Sequence, residues 1–231
     1  LREMSSRNTA ALRSARAGLE FALPETLYPR RFPIGTAASI AKMPRERFVE
    51  FYNAWYRPER ATVIAVGDFN ITEVRQLIER EFADAQGRGA ARDVQDFGRV
   101  TTDQGVTARW NTVRDASETN VSISNYRAAK KELDTVAAQK QELVETLGQM
   151  MLTRRLNKLS ENADALISAP SVNQTTLSHR FTETSIGADC EPAKSLAAIA
   201  LLETELRRAL QHGFTTEELA EVTTILKKGM A

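Results

Sequence analysis

The amino-acid sequence predicts an α+β fold, in which antiparallel or mixed sheets carry helices packed on one face. One supporting observation is an apolar stripe at the helical spacing i, i+3, i+4 and i+7. Its members are Phe48, Phe51, Tyr52 and Trp55. Another is residues 119–124, where apolar and polar side chains alternate as in a half-buried strand. The third is the order of the elements, because strands that come in pairs between helices favour antiparallel sheets.

Size and charge set limits on the function. With 231 residues, of which 42% are hydrophobic, the chain can bury the core of one or two domains. Lys plus Arg number 31 and Asp plus Glu number 30, so no net field favours nucleic acid or an anionic membrane. The sequence has no run of 18 apolar residues that could span a membrane. The single cysteine, Cys190, excludes an internal disulfide and leaves the redox compartment open.

The first third of the chain predicts two helices and a buried strand. Residues 1–23 are dense in Ala and Arg, which predicts a helix. A second helix opens at Pro44 and ends at Arg57-Pro58, because the residue before a proline is pushed out of the α region. The aromatic stripe of this helix is expected to pack in the core. The apolar, β-branched run 61–66 predicts a buried strand.

A capping box predicts the next helix. Asn70 stands three residues before Glu73, and the apolar pattern that follows predicts a helix from Ile71 to about Asp84. Residues 85–104 are polar, contain glycine and show no sustained periodicity, which indicates a connector between domains.

The remainder predicts further strand pairs and three helices. The last two strands are close enough in sequence to be antiparallel neighbours. Gly213 is typical of the position after a helix C-terminus, and Thr215 with Glu218 forms a capping box for the last helix. The predicted strands are 106–110, 119–124, 165–176 and 179–188, and the predicted helices are 133–159, 192–212 and 217–228.

The run from Tyr28 to Phe69, with RFPIGT, FY, WY and VIAVGDF in that order, resembles the pitrilysin/insulinase family of zinc metallopeptidases, the inverzincins, and in particular its bacterial members. A weaker similarity extends over residues 119–226. The resemblance implies pitrilysin/LuxS-like α+β domains. Residues 1–87 would be the C-terminal part of a zinc-bearing first domain and residues 88–104 a linker. Residues 105–231 would be the N-terminal and central part of a second domain.

In this family an inverted motif, His-x-x-Glu-His on a helix, supplies two zinc ligands and the general base. The chain lacks the motif, and the resemblance implies that it begins after it. A downstream Glu supplies the third ligand, and the family's spacing places it at Glu3, thirty residues before Pro33. From the residues alone, a Glu on an amphipathic helix is a solvated surface charge. Only the resemblance makes Glu3 a candidate metal ligand.

The resemblance implies a fragment of a zinc-dependent metalloendopeptidase that hydrolyses peptides or unfolded polypeptides. Such an enzyme encloses its substrate between two halves, and the second half can lie on the same chain or on a partner subunit. The parent protein is expected to hold Zn, whereas this chain alone is expected to bind none and to be inactive. A periplasmic or secreted bacterial parent is expected, with the cytoplasm as the alternative compartment.

Two other functions stay open. One is a non-catalytic family member that acts as a partner or structural subunit of a peptidase complex, and only the upstream motif distinguishes it from the enzyme. The other is an unrelated α+β binding domain, which would require the long match to be chance.

For the other candidate residues, structural roles are expected. His179 and His212 lack a metal-ligating neighbour at helical spacing, and Cys190 lacks a Cys-x-x-Cys partner. The family's substrate-holding Arg and Tyr match Ser160 and roughly Ile167 here, which implies that this pair comes from another segment or subunit. Solvated faces are expected for the arginine pairs Arg30-Arg31, Arg154-Arg155 and Arg207-Arg208.

Overall fold

The structure, a computed structural model, describes residues 2–101, 105–129, 133–177 and 179–230. It consists of helices and a small antiparallel sheet, which confirms the predicted α+β class. The helices are α1 (Arg2–Arg7), α2 (Ala10–Ala22), α3 (Ala37–Lys42), α4 (Arg45–Trp55), α5 (Ile71–Phe82), α6 (Val136–Ser160), α7 (Ser195–His212) and α8 (Thr216–Met230). The strands are β1 (Thr119–Ala128), β2 (Ser168–Leu177) and β3 (Phe181–Cys190).

The chain divides into two compact units. One contains residues 1–7 and 30–97, and the other contains residues 8–29 and 98–231. We call them unit 1 and unit 2. The domain boundaries expected from the sequence, at residues 87 and 105, stay a prediction.

Unit 2 is built on a three-stranded sheet in the order β1-β3-β2, with both pairings antiparallel. The β2–β3 hairpin confirms the predicted pair of neighbouring strands. At its turn, the amide of Arg180 donates to the carbonyl of Leu177 at 3.0 Å, and His179 adopts a φ of 52°. Pairing is irregular between Ser168 and Ser171, where β2 is bulged.

The hydrophobic core of unit 2 lies between the sheet and its helices. In the register, Val121 stands opposite Ala188 and Ile123 opposite Ile186, so these four side chains share one face of the sheet. Helices α6 and α7 pack on the strands, and α8 packs against α6. The buried cluster on this face contains Val121, Leu152, Leu156, Ile167, Ile186, Ala188, Ala198 and Leu202.

The predicted single helix over residues 1–23 is wrong in one respect. The structure breaks it into α1 and α2, because Thr9 caps a new helix with its side-chain oxygen, which accepts from the amide of Leu12 at 3.2 Å. Arg13 supports the break by donating to the carbonyl of Asn8 at 2.7 Å. A threonine that bonds its local backbone in this way competes with helix continuation.

The prediction of a buried strand at residues 61–66 is also wrong. This segment has no strand structure, and its exposed fractions are 80% at Ile64 and 92% at Val66. A strand requires a hydrogen-bonded neighbour, and the sheet that the structure describes contains only β1, β2 and β3. Residues 106–110 fail as a strand for the same reason, with Val106 and Trp110 both exposed.

The aromatic stripe does not pack in a core as expected. It lies on α4 with the predicted helical spacing, but Phe48, Phe51 and Tyr52 are each more than half exposed. Only Ala54 on this helix is buried. The periodicity of the residues therefore determines the helix, whereas burial depends on a covering element that no described residue supplies.

Candidate functional site

Glu3, the expected metal ligand, lies in the first turn of α1. Its side chain is 67% exposed, and its Oε1 pairs with Nη2 of Arg7 at 3.0 Å across one helical turn. Its carbonyl accepts a hydrogen bond from Oγ of Ser6 at 2.9 Å. A surface pair at this spacing contributes only about 0.3–0.5 kcal/mol, so the carboxylate is not fixed in place.

The residues that the structure describes contain no ready-made zinc site. In the described ranges, no group of three or more His, Cys, Asp or Glu side chains could hold a metal ion. A catalytic zinc takes three protein ligands and keeps one position open. Glu3 can supply one of these ligands at most.

The two histidines and the cysteine belong to unit 2, where each has a structural position. His179 is exposed in the β2–β3 turn, and His212 is the exposed last residue of α7. Cys190 ends β3 and packs partly buried against the hydrophobic core. Burial, followed by the charges of Asp189 and Glu191, raises the pKa of its thiol, so the thiol stays protonated at neutral pH.

The two positions matched to the family's substrate-holding pair have structural roles here. Ile167 is only 2% exposed and belongs to the hydrophobic core. Ser160 ends α6, and its Oγ donates to the carbonyl of Asn157 at 2.8 Å. Neither side chain presents a charge or a ring to a bound polypeptide.

One member of the Arg154-Arg155 pair, Arg155, is held inside unit 2 instead of lying on a solvated face. Nη2 of Arg155 donates to Oε2 of Glu218 at 2.8 Å and to the carbonyl of Gly213 at 2.9 Å. The guanidinium also lies over the ring of Phe214, 4.6 Å from its centroid. Both charged side chains are only 18% exposed. This contact, which we call the α6–α8 clamp, joins α6 to the α7–α8 turn and to the start of α8.

The clamp was missed because a sequence pattern cannot show which carboxylate an arginine reaches. The one sequence feature that involves the clamp is the capping box, because its Glu218 is also the carboxylate of the clamp. Glu218 accepts a hydrogen bond from the amide of Thr215 at 2.8 Å. The hydrogen bonds from Arg155 lower the pKa of Glu218 to about 2, so the carboxylate is ionised throughout the neutral range.

A second polar network ties all three strands to α6. Nε2 of Gln174 donates to Oε2 of Glu145 at 2.8 Å, and Oε1 of Gln174 accepts from Thr184 at 3.0 Å and from Arg127 at 3.2 Å. Hydrogen bonds from Gln141 and then Gln174 lower the pKa of Glu145. Every member has a partner, which is the arrangement that fixes strand register.

On the other face of the sheet, Tyr126 of β1 donates to Oε1 of Glu183 on β3 at 2.7 Å. Burial first, and then this hydrogen bond, raise the pKa of Tyr126, so its phenol stays protonated. A tyrosine held neutral in this way contributes a hydrogen bond between strands and does not serve as a base.

Two concave regions, one in each unit, are small or open. A cavity of about 240 Å³ in unit 2 lies between α6, β2 and α8, and its lining includes Met150, Arg154, Val172 and Ile225. This is below the usual size of a small-molecule site. A groove of about 710 Å³ in unit 1 lies between residues 65–69 and α5.

Comparison with known proteins identifies the family. Residues 42–226 match the model of the peptidase M16 inactive domain, which covers most of the chain. The chain belongs to the peptidase M16 family. This confirms the resemblance to the pitrilysin/insulinase peptidases, and the matched part is the domain of an M16 peptidase that is described as inactive.

Curated M16 relatives are named zinc proteases. The chain is 24% identical over 207 residues to the probable zinc protease PqqL of Haemophilus influenzae, covering 84% of this chain and 21% of that protein. It is 30% identical over 165 residues to a zinc protease of the PqqL type in Arabidopsis thaliana, covering 69% and 17%. The chain therefore spans about a fifth of the length of these relatives.

Solved M16 structures share the fold. The first half of the periplasmic protease PqqL from Escherichia coli aligns with a TM-score of 0.73 at 19% identity, covering 97% of this chain and 47% of that one. The ferredoxin protease FusC, solved in complex with Arabidopsis ferredoxin, aligns with a TM-score of 0.79 at 18% identity, covering 98% and 25%.

None of the helices in the described part of the chain has the length and apolar character that crossing a bilayer requires.

Proposed function

We propose that the parent protein is a zinc-dependent metalloendopeptidase that hydrolyses peptides or unfolded polypeptides, and that this chain contributes a non-catalytic part of it. The observation that carries the proposal is the match of residues 42–226 to the M16 inactive domain, together with relatives that are named zinc proteases. By itself the chain is inactive and binds no stoichiometric zinc.

The proposed division of the chain follows the family. Residues 1–87 are the C-terminal part of the zinc-bearing domain, residues 88–104 are a linker, and residues 105–231 begin the second domain. The absence of helix and strand from 85 to 101 supports a connector there.

Glu3 is the proposed third zinc ligand, completing a site whose other ligands come from the upstream His-x-x-Glu-His motif. Its exposure and its single weak ion pair with Arg7 support this role, because little free energy is lost when the carboxylate turns to a metal. No other residue of this chain is assigned to the site.

The proposed partners are a polypeptide substrate and a second peptidase half, which lies on the same polypeptide or on a partner subunit. The complex of FusC with ferredoxin and the solved half of PqqL support these two partners. No nucleic-acid partner is proposed, since the charges nearly cancel. The proposed compartment is the periplasm, by analogy with PqqL, which is described as periplasmic.

The test is zinc stoichiometry on the complete parent polypeptide and its Glu3→Gln variant. We expect about one zinc in the parent, and at least a tenfold weaker affinity with loss of chelator-sensitive peptidase activity in the variant. Glu20→Gln is the matched control, because Glu20 also pairs with an arginine one helical turn away, Arg16 at 3.2 Å, and should leave zinc unchanged.

Two other results would count against the proposal. A parent without zinc would favour the alternative function, a non-catalytic partner or structural subunit. Equal zinc affinity in the parent and in its Glu3→Gln variant would show that Glu3 is a surface charge and not a zinc ligand.

A further inference from the structure

Residues 105–115 of unit 2 form a segment without helix or strand that lies along α2, a helix of the same unit. We call this segment the strap. Two contacts give its direction. Arg109, in the middle of the strap, reaches Ala17, whereas Arg114, near its end, is reached by Arg13, four residues earlier in the helix. The strap therefore runs antiparallel to α2.

The strap holds the helix through one arginine. Nη1 of Arg109 donates to the carbonyl of Ala17 at 3.1 Å, and the guanidinium lies 5.9 Å from the centroid of the Phe21 ring. Ala17 and Phe21 are one helical turn apart, so a single side chain of the strap spans a full turn of α2.

The helix holds the strap through a second arginine. Nη2 of Arg13 donates to the carbonyl of Arg114 at 2.8 Å and lies 3.8 Å from Oδ2 of Asp115. Nη1 of the same side chain donates to the carbonyl of Asn8 at 2.7 Å. The guanidinium of Arg13 is therefore bound from both sides, which fixes the position at which it receives the strap.

The strap ends in a tight turn at the Arg13 contact. The amide of Ala116 donates to the carbonyl of Val113 at 3.3 Å, and Asp115 adopts a φ of 64°. This left-handed conformation is uncommon for a residue other than glycine. The contact with Arg13 thus involves a backbone carbonyl and a carboxylate that a turn holds side by side.

Apolar burial adds little to the two arginine contacts. Every residue of the strap is described, and none is buried. Its large apolar side chains face solvent, since Val106 is fully exposed and Trp110 is 67% exposed. No residue of α2 is buried either. The attachment therefore depends on charged hydrogen bonds at the surface, which weaken as the salt concentration rises.

We propose that residues 105–115 are a releasable strap, which Arg13 and Arg109 hold on α2 and which opens without unfolding of the sheet, α6 or α7. Release uncovers the surface of α2 around Ala17 and Phe21 and leaves the hydrophobic core of unit 2 intact. Segments with exposed contacts open at a much lower free energy than elements around a core, so the two events are separable. The proposal does not depend on the proposed peptidase function.

The test is limited digestion of the chain with trypsin, followed at the bond after Arg109. Cleavage there requires the strap to leave α2, so its rate reports the population of the open form. We expect cleavage to be roughly fivefold faster in about 1 M than in about 0.05 M NaCl. Each rate is divided by the rate for a free peptide of residues 105–116, which removes the effect of salt on trypsin itself.

Arg13→Gln removes the contact on the helix side and keeps the cleavage site. At low salt we expect cleavage after Arg109 to become roughly tenfold faster and to lose most of its salt dependence, while hydrogen exchange of α6 and β3 stays unchanged. Arg207→Gln is the control. Arg207 pairs with Glu203 at 2.7 Å on the surface of α7 in the same unit, so its replacement should leave the rate unchanged.

Three results would overturn the proposal. Cleavage as fast in the wild-type chain as in the free peptide would show that the strap is not attached. A rate unchanged by salt or by Arg13→Gln would show that the arginine contacts do not hold it. Faster cleavage together with lost protection of α6 and β3 would show that the strap opens only when unit 2 unfolds.

Discussion

Among single residues, Arg155 and Glu218 show that partial burial increases the contribution of an ion pair to stability. An exposed ion pair such as that between Glu3 and Arg7 contributes little to stability, because water screens both charges. Arg155 and Glu218 are each only 18% exposed and share two hydrogen bonds. Removing one partner would leave the other charge poorly solvated, which is the costly case for a partly buried pair.

Stability should depend on pH through Glu218. Its folded pKa of about 2 lies below the unfolded value of 4.5, so its contribution is complete above about pH 5 and is lost as the pH falls towards 2. Glu218→Gln keeps the size and the cap at Thr215 but removes the charge. We expect it to lower the free energy of unfolding by on the order of 2 kcal/mol at pH 7 and by much less at pH 3.

Urea unfolding of the variant and the wild type at both pH values measures this difference. Glu221→Gln is the control, because the pair between Glu221 and Arg154 is more exposed, at 35% and 39%, and should contribute less than about 1 kcal/mol. A pH-independent difference for Glu218→Gln would contradict an electrostatic clamp.

At the level of the elements, caps decide where the helices begin and end. Thr9 caps the start of α2, although the pattern of alanine and apolar residues predicts one continuous helix from residue 1. Gly213 ends α7 with φ 70° and ψ −150°, a conformation that costs a residue with a Cβ atom. The turn that follows places Glu218 against Arg155, so this cap also positions the clamp.

Two glycine substitutions should therefore have opposite effects. Gly213→Ala forces alanine into the strained conformation and should destabilise unit 2 by about 1–2 kcal/mol. Gly148→Ala lies within α6, where an added Cβ meets nothing within 4 Å, and should stabilise it by about 0.5–1 kcal/mol. Thermal unfolding of both variants measures the two shifts, and shifts of the same sign would contradict the assigned role of Gly213.

Across the whole molecule, the buried apolar residues are unevenly distributed. Of those that the structure describes, Ala54 alone lies in unit 1. Unit 2 contains the fully buried Leu156, Ala198 and Leu202. Because burial of apolar surface is the main favourable term in folding, unit 2 is expected to hold most of the stability of this chain.

Hydrogen exchange of the isolated chain should separate the two units. We expect the amides of α4 and α5 to exchange at least 100-fold faster than those of α6 and β3. Leu202→Ala should reduce protection in unit 2, at a cost of about 2–4 kcal/mol, and leave α4 and α5 unchanged. Equal protection of α4 and α6 in the wild type would show that unit 1 has a core of its own.

Much of the secondary structure follows from local pattern. The hairpin of β2 and β3, the helices α5, α6 and α7, and the capping box at Thr215 and Glu218 all lie close to where the sequence predicts them. These features depend on side-chain periodicity and on hydrogen bonds between residues a few positions apart, so the local sequence contains the information they need. The order of the motifs from Tyr28 to Phe69 also sufficed to indicate the family.

The tertiary structure decided what the local pattern could not. The predicted strands at 61–66 and 106–110 have the right residues, but a strand also needs a partner from elsewhere, and the described residues provide none. Arg155 looks like any other surface arginine in the sequence, and only the packing of α8 on α6 brings Glu218 to it. Composition and periodicity determine which elements are possible, and contacts between distant residues determine which of them form and what they bury.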